Sequence, residues 1–257
     1  MEKDVKKILT QHLELDSFFT GDFSVRAPRS SAVVQPSLIP DEEFMKKSSK
    51  SAVVKSAKTD SYETLEQIAA AVKVCQKCVL GSTRTNAVPG QGNPKARLVF
   101  IGEGPGADED AQGVAFIGRA GKLLTDIITA MGLTRDEVFI GNIVKCRPPE
   151  NRDPRPEEII SCWPYLKRQL ELIAPQVIVA LGAHAARTLL KSERPIGQLR
   201  GQFQHYEFSE LLPPAKLMPT YHPAYLLRNY STDNRRRVWE DMQMVMKELG
   251  LTAPKKG

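Results

Sequence analysis

Residues 97–124, RLVFIGEGPGADEDAQGVAFIGRAGKLL, constrain the fold more than any other part of the chain. The apolar, β-branched run at 98–101 predicts a buried strand, and it breaks at once into the Gly-rich turn 102–106. Helical spacing of apolar residues begins only at Ala120. A plain strand-to-helix connection has about 2–6 residues, whereas this one is far longer, acidic and partly apolar. It predicts a ligand site at the carboxyl end of a strand, where open α/β sheets hold their ligands.

The rest of the chain alternates between strand and helix patterns. Three further apolar runs predict strands at residues 137–142, 176–182 and 216–220. Helical patterns follow them at residues 156–173, 183–190 and 234–249, and residues 202–208 predict a peripheral hairpin. This alternation is typical of a parallel sheet in a three-layer α/β fold.

The N-terminal quarter has a different composition. Apolar residues at helical spacing predict a short docking helix within residues 1–19. Residues 20–61 are rich in Ser, Pro and Lys without sustained periodicity, which predicts a disordered linker. We therefore expect the folded domain to comprise residues 62–257.

Charge and hydropathy restrict the environment and the partners. The formal net charge of +6 fits a polyanionic partner, although such an excess is also common in proteins that bind no nucleic acid. No apolar run approaches the length of a membrane span, and the first residues lack the apolar core of a signal peptide. We expect a cytoplasmic protein with no membrane partner.

The four cysteines suggest a metal centre. Cys75 and Cys78 form a C-x2-C pair, and Cys146 and Cys162 follow at a distance. Structural disulfides are rare in a reducing cytoplasm, so the thiols are interpreted as ligands. Zinc and iron–sulfur clusters both accept four thiolates in tetrahedral arrangement, and the spacing does not choose between them.

Four segments in order, GEGPGADEDAQGVAFIGRAGKLL, GNIVKCRPPENRDPRPEE, VIVALGAHAARTLL and PTYHPAYLLR, resemble the family 4 uracil-DNA glycosylases, the thermostable-type 4Fe-4S branch of that superfamily. The resemblance covers about residues 62–249. It implies a three-layer α/β/α sandwich with a central four-stranded parallel sheet. It also implies monofunctional hydrolysis of the N-glycosidic bond of deoxyuridine in DNA, which leaves an abasic site for base-excision repair. The ligands of the implied 4Fe-4S cluster are Cys75, Cys78, Cys146 and Cys162.

The same motifs supply candidates for a uracil pocket. An enzyme that acts on a base must take it out of the stack and enclose it. Phe116 is the candidate to stack on uracil, and the amide of Asn142 can donate to O4 and accept from N3–H. His222 can donate to O2, where negative charge grows as the bond breaks. Gly104 lets the backbone approach the base or a phosphate.

The residue that activates water stays open. Glu103 leaves a strand-end turn and is the first candidate, and Glu109 is the reserve. The acidic run 108–110 is otherwise interpreted as a solvated loop. The best-known uracil glycosylases carry an Asp at the third motif position, where this chain has Gly104.

The resemblance also suggests contacts with DNA, and the N-terminal tail offers a separate hypothesis about a protein partner. The turn at residues 222–228 is expected to meet single- or double-stranded DNA from the minor-groove side, with Tyr225 or Leu226 as a wedge and Arg228 near a phosphate. Residues 12–19 loosely resemble the Leu- and Phe-anchored peptides that bind sliding clamps. We expect a monomer.

Two other functions compete with the glycosylase. One is a non-catalytic 4Fe-4S nucleic-acid-binding module related to polymerase-fused domains, and the other is a zinc-stabilised nucleotide-binding domain. Retention of the candidates Glu103, Phe116, Asn142 and His222 favours the enzyme. A branch that attaches covalently to uracil carries a histidine in an insert at the position of residues 193–201, and its absence here predicts turnover.

Overall fold

The computed structural model describes residues 62–209 and 212–252. The expected docking helix, linker and clamp-binding peptide lie outside these residues. Within the described ranges no helix is both long and apolar enough to cross a membrane.

A six-stranded sheet in the order β1-β3-β2-β4-β6-β5 forms the middle of the described fold. Its strands are β1 (Gln91–Gly92), β2 (Leu98–Gly102), β3 (Phe139–Asn142), β4 (Val177–Leu181), β5 (Gln204–Tyr206) and β6 (Ala215–Thr220). The four central strands are mutually parallel, and the short edge strands β1 and β5 pair antiparallel. The prediction of a central four-stranded parallel sheet is confirmed. The hairpin predicted within residues 202–208 is wrong in extent, because that segment supplies only β5, which pairs antiparallel with β6. Strand β1 was not predicted.

Helices cover both faces of the sheet. They are α1 (Leu65–Lys73), α2 (Leu80–Thr83), α3 (Ala107–Gln112), α4 (Arg119–Ala130), α5 (Pro156–Ile173), α6 (Ala183–Leu190), α7 (Ile196–Leu199), α8 (Pro223–Arg228) and α9 (Thr232–Leu249). A 3-10 turn (Pro149–Asn151) precedes α5.

Strand β2 shows how the three layers arise. Its residues are all buried, because a central parallel strand is covered on both faces. Leu98 and Phe100 join the core cluster beneath α4 and α9, whereas Val99 and Ile101 join the cluster beneath α1, α5 and α6. This two-residue alternation follows from strand geometry. Because β3, β2, β4 and β6 are parallel, their carboxyl ends all lie at the same end of the sheet.

Candidate active site and cysteine centre

An open cleft lies at the carboxyl ends of the parallel strands. Six residues predicted for the site line it: Glu103, Gly104, Phe116, Asn142, His222 and Arg228. The reserve candidate Glu109 lines it as well. Glu103, Asn142 and His222 come from strand ends or the residues just after them, whereas Glu109 lies in α3 and Arg228 in α8.

Asn142 is the last residue of β3, and its side-chain amide is buried. Its side chain is 1% exposed, and within the described residues its Oδ1 accepts no hydrogen bond. A buried polar atom without a partner costs about 1–3 kcal/mol, so such an atom beside a cleft indicates a ligand that supplies the missing donor.

Gly102 makes room for two site residues at once. A Cβ built on Gly102 would lie 2.5 Å from Phe116 Cζ and 2.6 Å from Asn142 Oδ1. Both distances are too short for real atoms, so the ring and the amide reach the cleft wall only because residue 102 has no side chain. This role of Gly102 was not predicted from the sequence.

Phe116 is held in an unusual backbone conformation. Its φ of 53° is in the left-handed region, which few non-glycine residues adopt. Arg135 Nη1 donates to the Phe116 carbonyl at 3.1 Å, and a Cβ on Gly121 would lie 2.0 Å from that same oxygen. The Phe116 ring lies 5.7 Å from the His222 ring, centroid to centroid.

Glu109 connects the insert at residues 113–118, which lies between α3 and α4 and carries Phe116, to the Gly-rich turn 102–106. Its Oε1 accepts the N–H groups of Ile117 and Gly118, both at 2.9 Å, and its Oε2 accepts that of Gly106 at 3.1 Å. Both oxygens thus satisfy backbone donors. Three hydrogen bonds to one carboxylate make Glu109 a support for the insert.

The acidic run 108–110 is not the solvated loop that the sequence suggested. It forms helix α3, and Asp110 is 5% exposed with its carboxylate accepting the Thr85 N–H at 3.0 Å. Of the three acidic residues, only Asp108 is exposed to solvent. A charge pattern does not distinguish a solvated acid from one that caps backbone donors of another segment, which explains the error.

His222 lies at the end of β6 as a neutral imidazole. Its Nδ1 accepts the Ala224 N–H at 3.1 Å, so the neutral ring carries its proton on Nε2. Burial, with a contribution from Arg228, lowers the pKa of His222 from 6.5 to about 4. The ring therefore offers Nε2–H to a ligand as a neutral donor at physiological pH.

Glu103 has two ionisable neighbours that the sequence analysis did not assign to the site. His184 Nε2 lies 3.9 Å from Glu103 Oε2 and 3.2 Å from Asp153 Oδ2. Burial raises the pKa of Glu103; His184 and Arg228 oppose this effect, whereas Asp153 adds to it. The three side chains place ligand atoms within 4.8 Å of one another, a donor set also suited to a divalent cation.

The position of His184 was available as a sequence signal. It lies two residues after Gly182, which follows strand β4, and that strand delivers no other proposed site residue. The sequence analysis interpreted it as part of a helix start. It is in the first turn of α6, and its side chain also faces Glu103.

Gly104 is packed against the β3–α5 connection. A Cβ on Gly104 would lie 2.9 Å from Val144 Cγ2 and 3.6 Å from Pro148 Cδ. Val144 is fully buried and β-branched, so it has little freedom to move aside.

The predicted DNA-contacting residues differ in exposure. Arg228 is exposed and lines the cleft, and Tyr225 is half-buried against Tyr221, with ring centroids 5.1 Å apart. Leu226 is 2% exposed and belongs to the core. Its burial argues against the predicted wedge, because Leu226 would have to leave the core to enter DNA.

The four cysteines meet at a second, narrow cavity. Cys75 and Cys78 come from the segment between α1 and α2, Cys146 follows β3, and Cys162 lies in α5. All four line this cavity as free thiols. The four-thiol set fits metal binding.

The surroundings of the thiols also suit bound thiolates. Arg84 Nη1 donates to Cys146 Sγ at 2.8 Å, and the Lys145 N–H donates to Cys162 Sγ at 3.2 Å. Burial raises the pKa of the Cys162 thiol to about 12, so its thiolate requires a positive partner such as a metal. Lys145 is buried beside the cavity, and its Nζ donates to the Asn142 carbonyl at 2.9 Å.

Comparison with known proteins agrees with this arrangement. Residues 89–243 match the family described as the Uracil DNA glycosylase superfamily. The chain is 47% identical to the type-4 uracil-DNA glycosylase of Saccharolobus solfataricus over 192 residues, 73% of this chain and 87% of that protein. It is 45% identical to the Sulfurisphaera tokodaii enzyme of the same name over 195 residues, 74% of this chain and 86% of that one. For the Thermotoga maritima enzyme the identity is 46% over 182 residues, 70% of this chain and 92% of that one. The chain belongs to the uracil-DNA glycosylase superfamily, in its type-4 branch.

Proposed function

We propose that this chain is a monofunctional uracil-DNA glycosylase that releases uracil from DNA and leaves an abasic site for base-excision repair. The observation that carries the proposal is the buried Asn142 amide, whose Oδ1 has no hydrogen-bond partner among the described residues and lies at a cleft beside Phe116. Family membership supports the same activity.

Base recognition rests on Asn142 and Phe116. Oδ1 of Asn142 accepts uracil N3–H, and Nδ2 donates to O4. Cytosine presents an amino group where O4 would be and lacks the N3–H, so both hydrogen bonds would be lost. Phe116 stacks on the flipped base, and the backbone around Gly104 lets the base approach the Gly-rich turn closely.

Bond cleavage uses Glu103, which follows β2, and His222, which follows β6. As the C1′–N1 bond breaks, its electron pair moves into the uracil ring, and Nε2–H of His222 stabilises the charge at O2. The Glu103 carboxylate orients water, stabilises the cationic sugar and takes the proton that water loses when its oxygen bonds to C1′. Glu109 is unsuited to this step, because both of its oxygens accept backbone N–H groups.

The cofactor in this proposal is a 4Fe-4S cluster held by Cys75, Cys78, Cys146 and Cys162. The family resemblance selects the cluster over zinc, while the thiol set alone fits both. When bound, the cluster would supply a covalent cross-link between segments of the chain. Its binding residues lie in a different cavity from the cleft residues, which supports a structural role.

DNA contacts and partners complete the proposal. Arg228 meets a phosphate beside the cleft, and Tyr225 is the better placed wedge on α8 because Leu226 is buried. The substrate is uracil-containing single- or double-stranded DNA, and the protein acts as a cytoplasmic monomer. Binding of a sliding clamp through residues 12–19 remains a separate proposal, tested by comparing clamp retention by the full chain and by a chain that begins at Tyr62.

One assay separates the proposed function from its rivals. Purified protein is incubated with an oligonucleotide that contains one deoxyuridine, and alkali then cleaves abasic sites. The enzyme produces cleavage at the uracil position, whereas a non-catalytic binding module leaves the strand intact. Iron, sulfide and zinc analysis of the same preparation distinguishes a 4Fe-4S protein from a zinc protein.

A further inference from the structure

Among the parallel strands of the described fold, β4 is the one whose carboxyl end the proposed reaction leaves without a role, and His184 follows it beside Glu103. Across the sheet, β3 delivers Asn142, β2 delivers Glu103 and β6 delivers His222, while β4 leads into His184. Its Nε2 lies between two carboxylates, 3.2 Å from Asp153 Oδ2 and 3.9 Å from Glu103 Oε2. This places a potential cation directly beside the carboxylate that faces the reacting sugar.

We propose that His184, oriented by Asp153, is a positioning residue whose imidazolium keeps Glu103 ionised. The inference rests on the proposed function, since it assigns a role in the same reaction. His184 acts through Glu103 and does not itself touch the uracil.

The charges around Glu103 explain why such a residue is useful. Burial favours the neutral form of Glu103 and raises its pKa, Asp153 acts in the same direction, and His184 and Arg228 favour the carboxylate. Among these opposing charges His184 has a larger effect than Arg228. The other charged or titratable residues that line this cleft are Glu109, Arg152 and His222.

DNA bound over the cleft increases the effect of His184 on the ionisation of Glu103. Glu103 and His184 are partly open to solvent, with side-chain exposures of 30% and 39%, so water screens their interaction in the free protein. DNA over the cleft removes that water and brings phosphate charge nearby, and both effects disfavour an ionised carboxylate. A positive charge on His184 offsets both effects.

The test is a pH profile of the single-turnover rate of uracil release, with the enzyme saturating over DNA. In His184→Gln we expect the acid limb to move to higher pH by on the order of half a unit. The rate well above that limb should change by less than about twofold, because Glu103 is ionised there without help. His184→Lys retains a positive charge, and its acid limb should stay at or below that of the wild type.

A matched control is His205→Gln, which makes the same chemical change at an exposed position on edge strand β5. Its profile should coincide with that of the wild type. Coincident acid limbs for His184→Gln and His205→Gln would overturn the proposal, and so would equal shifts for His184→Gln and His184→Lys. Failure of the wild-type protein to release uracil at any pH would instead refute the proposed function.

Discussion

At the residue scale, the proposed recognition of uracil depends on an amide that can serve as donor and acceptor at once. Asn142 is buried at a strand end, and its acceptor has no partner among the described residues. In the proposed complex, uracil N3–H supplies the donor that this oxygen lacks among the described residues. Aspartate has the same shape as asparagine but lacks the N–H donor, so at this position it should preserve the pocket and lose the hydrogen bond to uracil O4.

Asn142→Asp should lower the single-turnover rate of uracil release by about 10- to 100-fold. The carboxylate cannot donate to O4 and repels it. Asn93→Asp is the matched control, because Asn93 Oδ1 only accepts the Lys95 N–H at 2.8 Å and an aspartate can do the same. A wild-type rate in Asn142→Asp would contradict the recognition role.

His222 makes stability depend on pH in a defined direction. Its pKa is about 4 in the folded protein and about 6.5 when unperturbed, so between these values the unfolded chain binds more protons. The stabilisation associated with the neutral ring is complete above pH 6.5 and is lost as pH falls toward 4. Protonation of Nδ1 would also remove the acceptor for the Ala224 N–H.

The free energy of unfolding of the wild type, measured relative to His222→Gln, should fall by on the order of 2 kcal/mol across that interval. Urea denaturation at several pH values measures the difference. His205→Gln serves as the control on edge strand β5, and its curve should parallel that of the wild type. Parallel curves for the wild type and His222→Gln would show that the ring titrates normally.

At the element scale, the insert between α3 and α4 depends on one carboxylate. Glu109 accepts three backbone N–H groups, and these bonds fix the segment that holds Phe116 in its left-handed conformation. Such a conformation persists only where its surroundings impose it. The position and conformation of the Phe116 ring are therefore set by the whole insert.

Glu109→Gln should destabilise the protein by about 2 kcal/mol, because the amide nitrogen would face a backbone donor and charge-assisted bonds would be lost. The melting temperature and the rate of uracil release should fall together. Glu193→Gln, at an exposed position, is the control for loss of one negative charge. A variant Glu109→Gln with wild-type melting temperature and greatly reduced rate would make Glu109 the water-activating residue after all.

At the scale of the whole molecule, the cysteine centre joins distant parts of the sequence. Its thiols come from the α1–α2 segment, the end of β3 and helix α5, which lie on one face of the sheet. Because a bound metal group exists only in the folded protein, its binding free energy adds to the stability. The link spans residues 75–162.

Cys162→Ser should lose the visible absorbance of the bound cluster and lower the melting temperature by on the order of 10 °C. Ser161→Ala is the control, because Ser161 lines the same cavity and its hydroxyl donates to the Glu157 carbonyl at 2.7 Å. Equal melting temperatures for cluster-loaded and cluster-free protein would contradict a structural role.

The sequence predicted what depends on local pattern. Apolar runs marked the strand ends, and the family resemblance selected Glu103, Asn142 and His222, which line one cleft. What was missed depends on how the chain folds back on itself. The role of Glu109 requires knowing that residues 117–118 return to it, and the role of His184 requires knowing that β4 is next to β2.

The contact between Gly104 and Val144 also restricts how this protein can evolve. A side chain at residue 104 would meet the buried Val144 methyl at 2.9 Å, so the aspartate familiar from other uracil glycosylases cannot simply be substituted there. A smaller residue at position 144 has to come first, at the cost of a cavity in the core. Substitution at position 104 is therefore coupled to the size of the residue at position 144, and with valine there the proposed activation of water falls to Glu103.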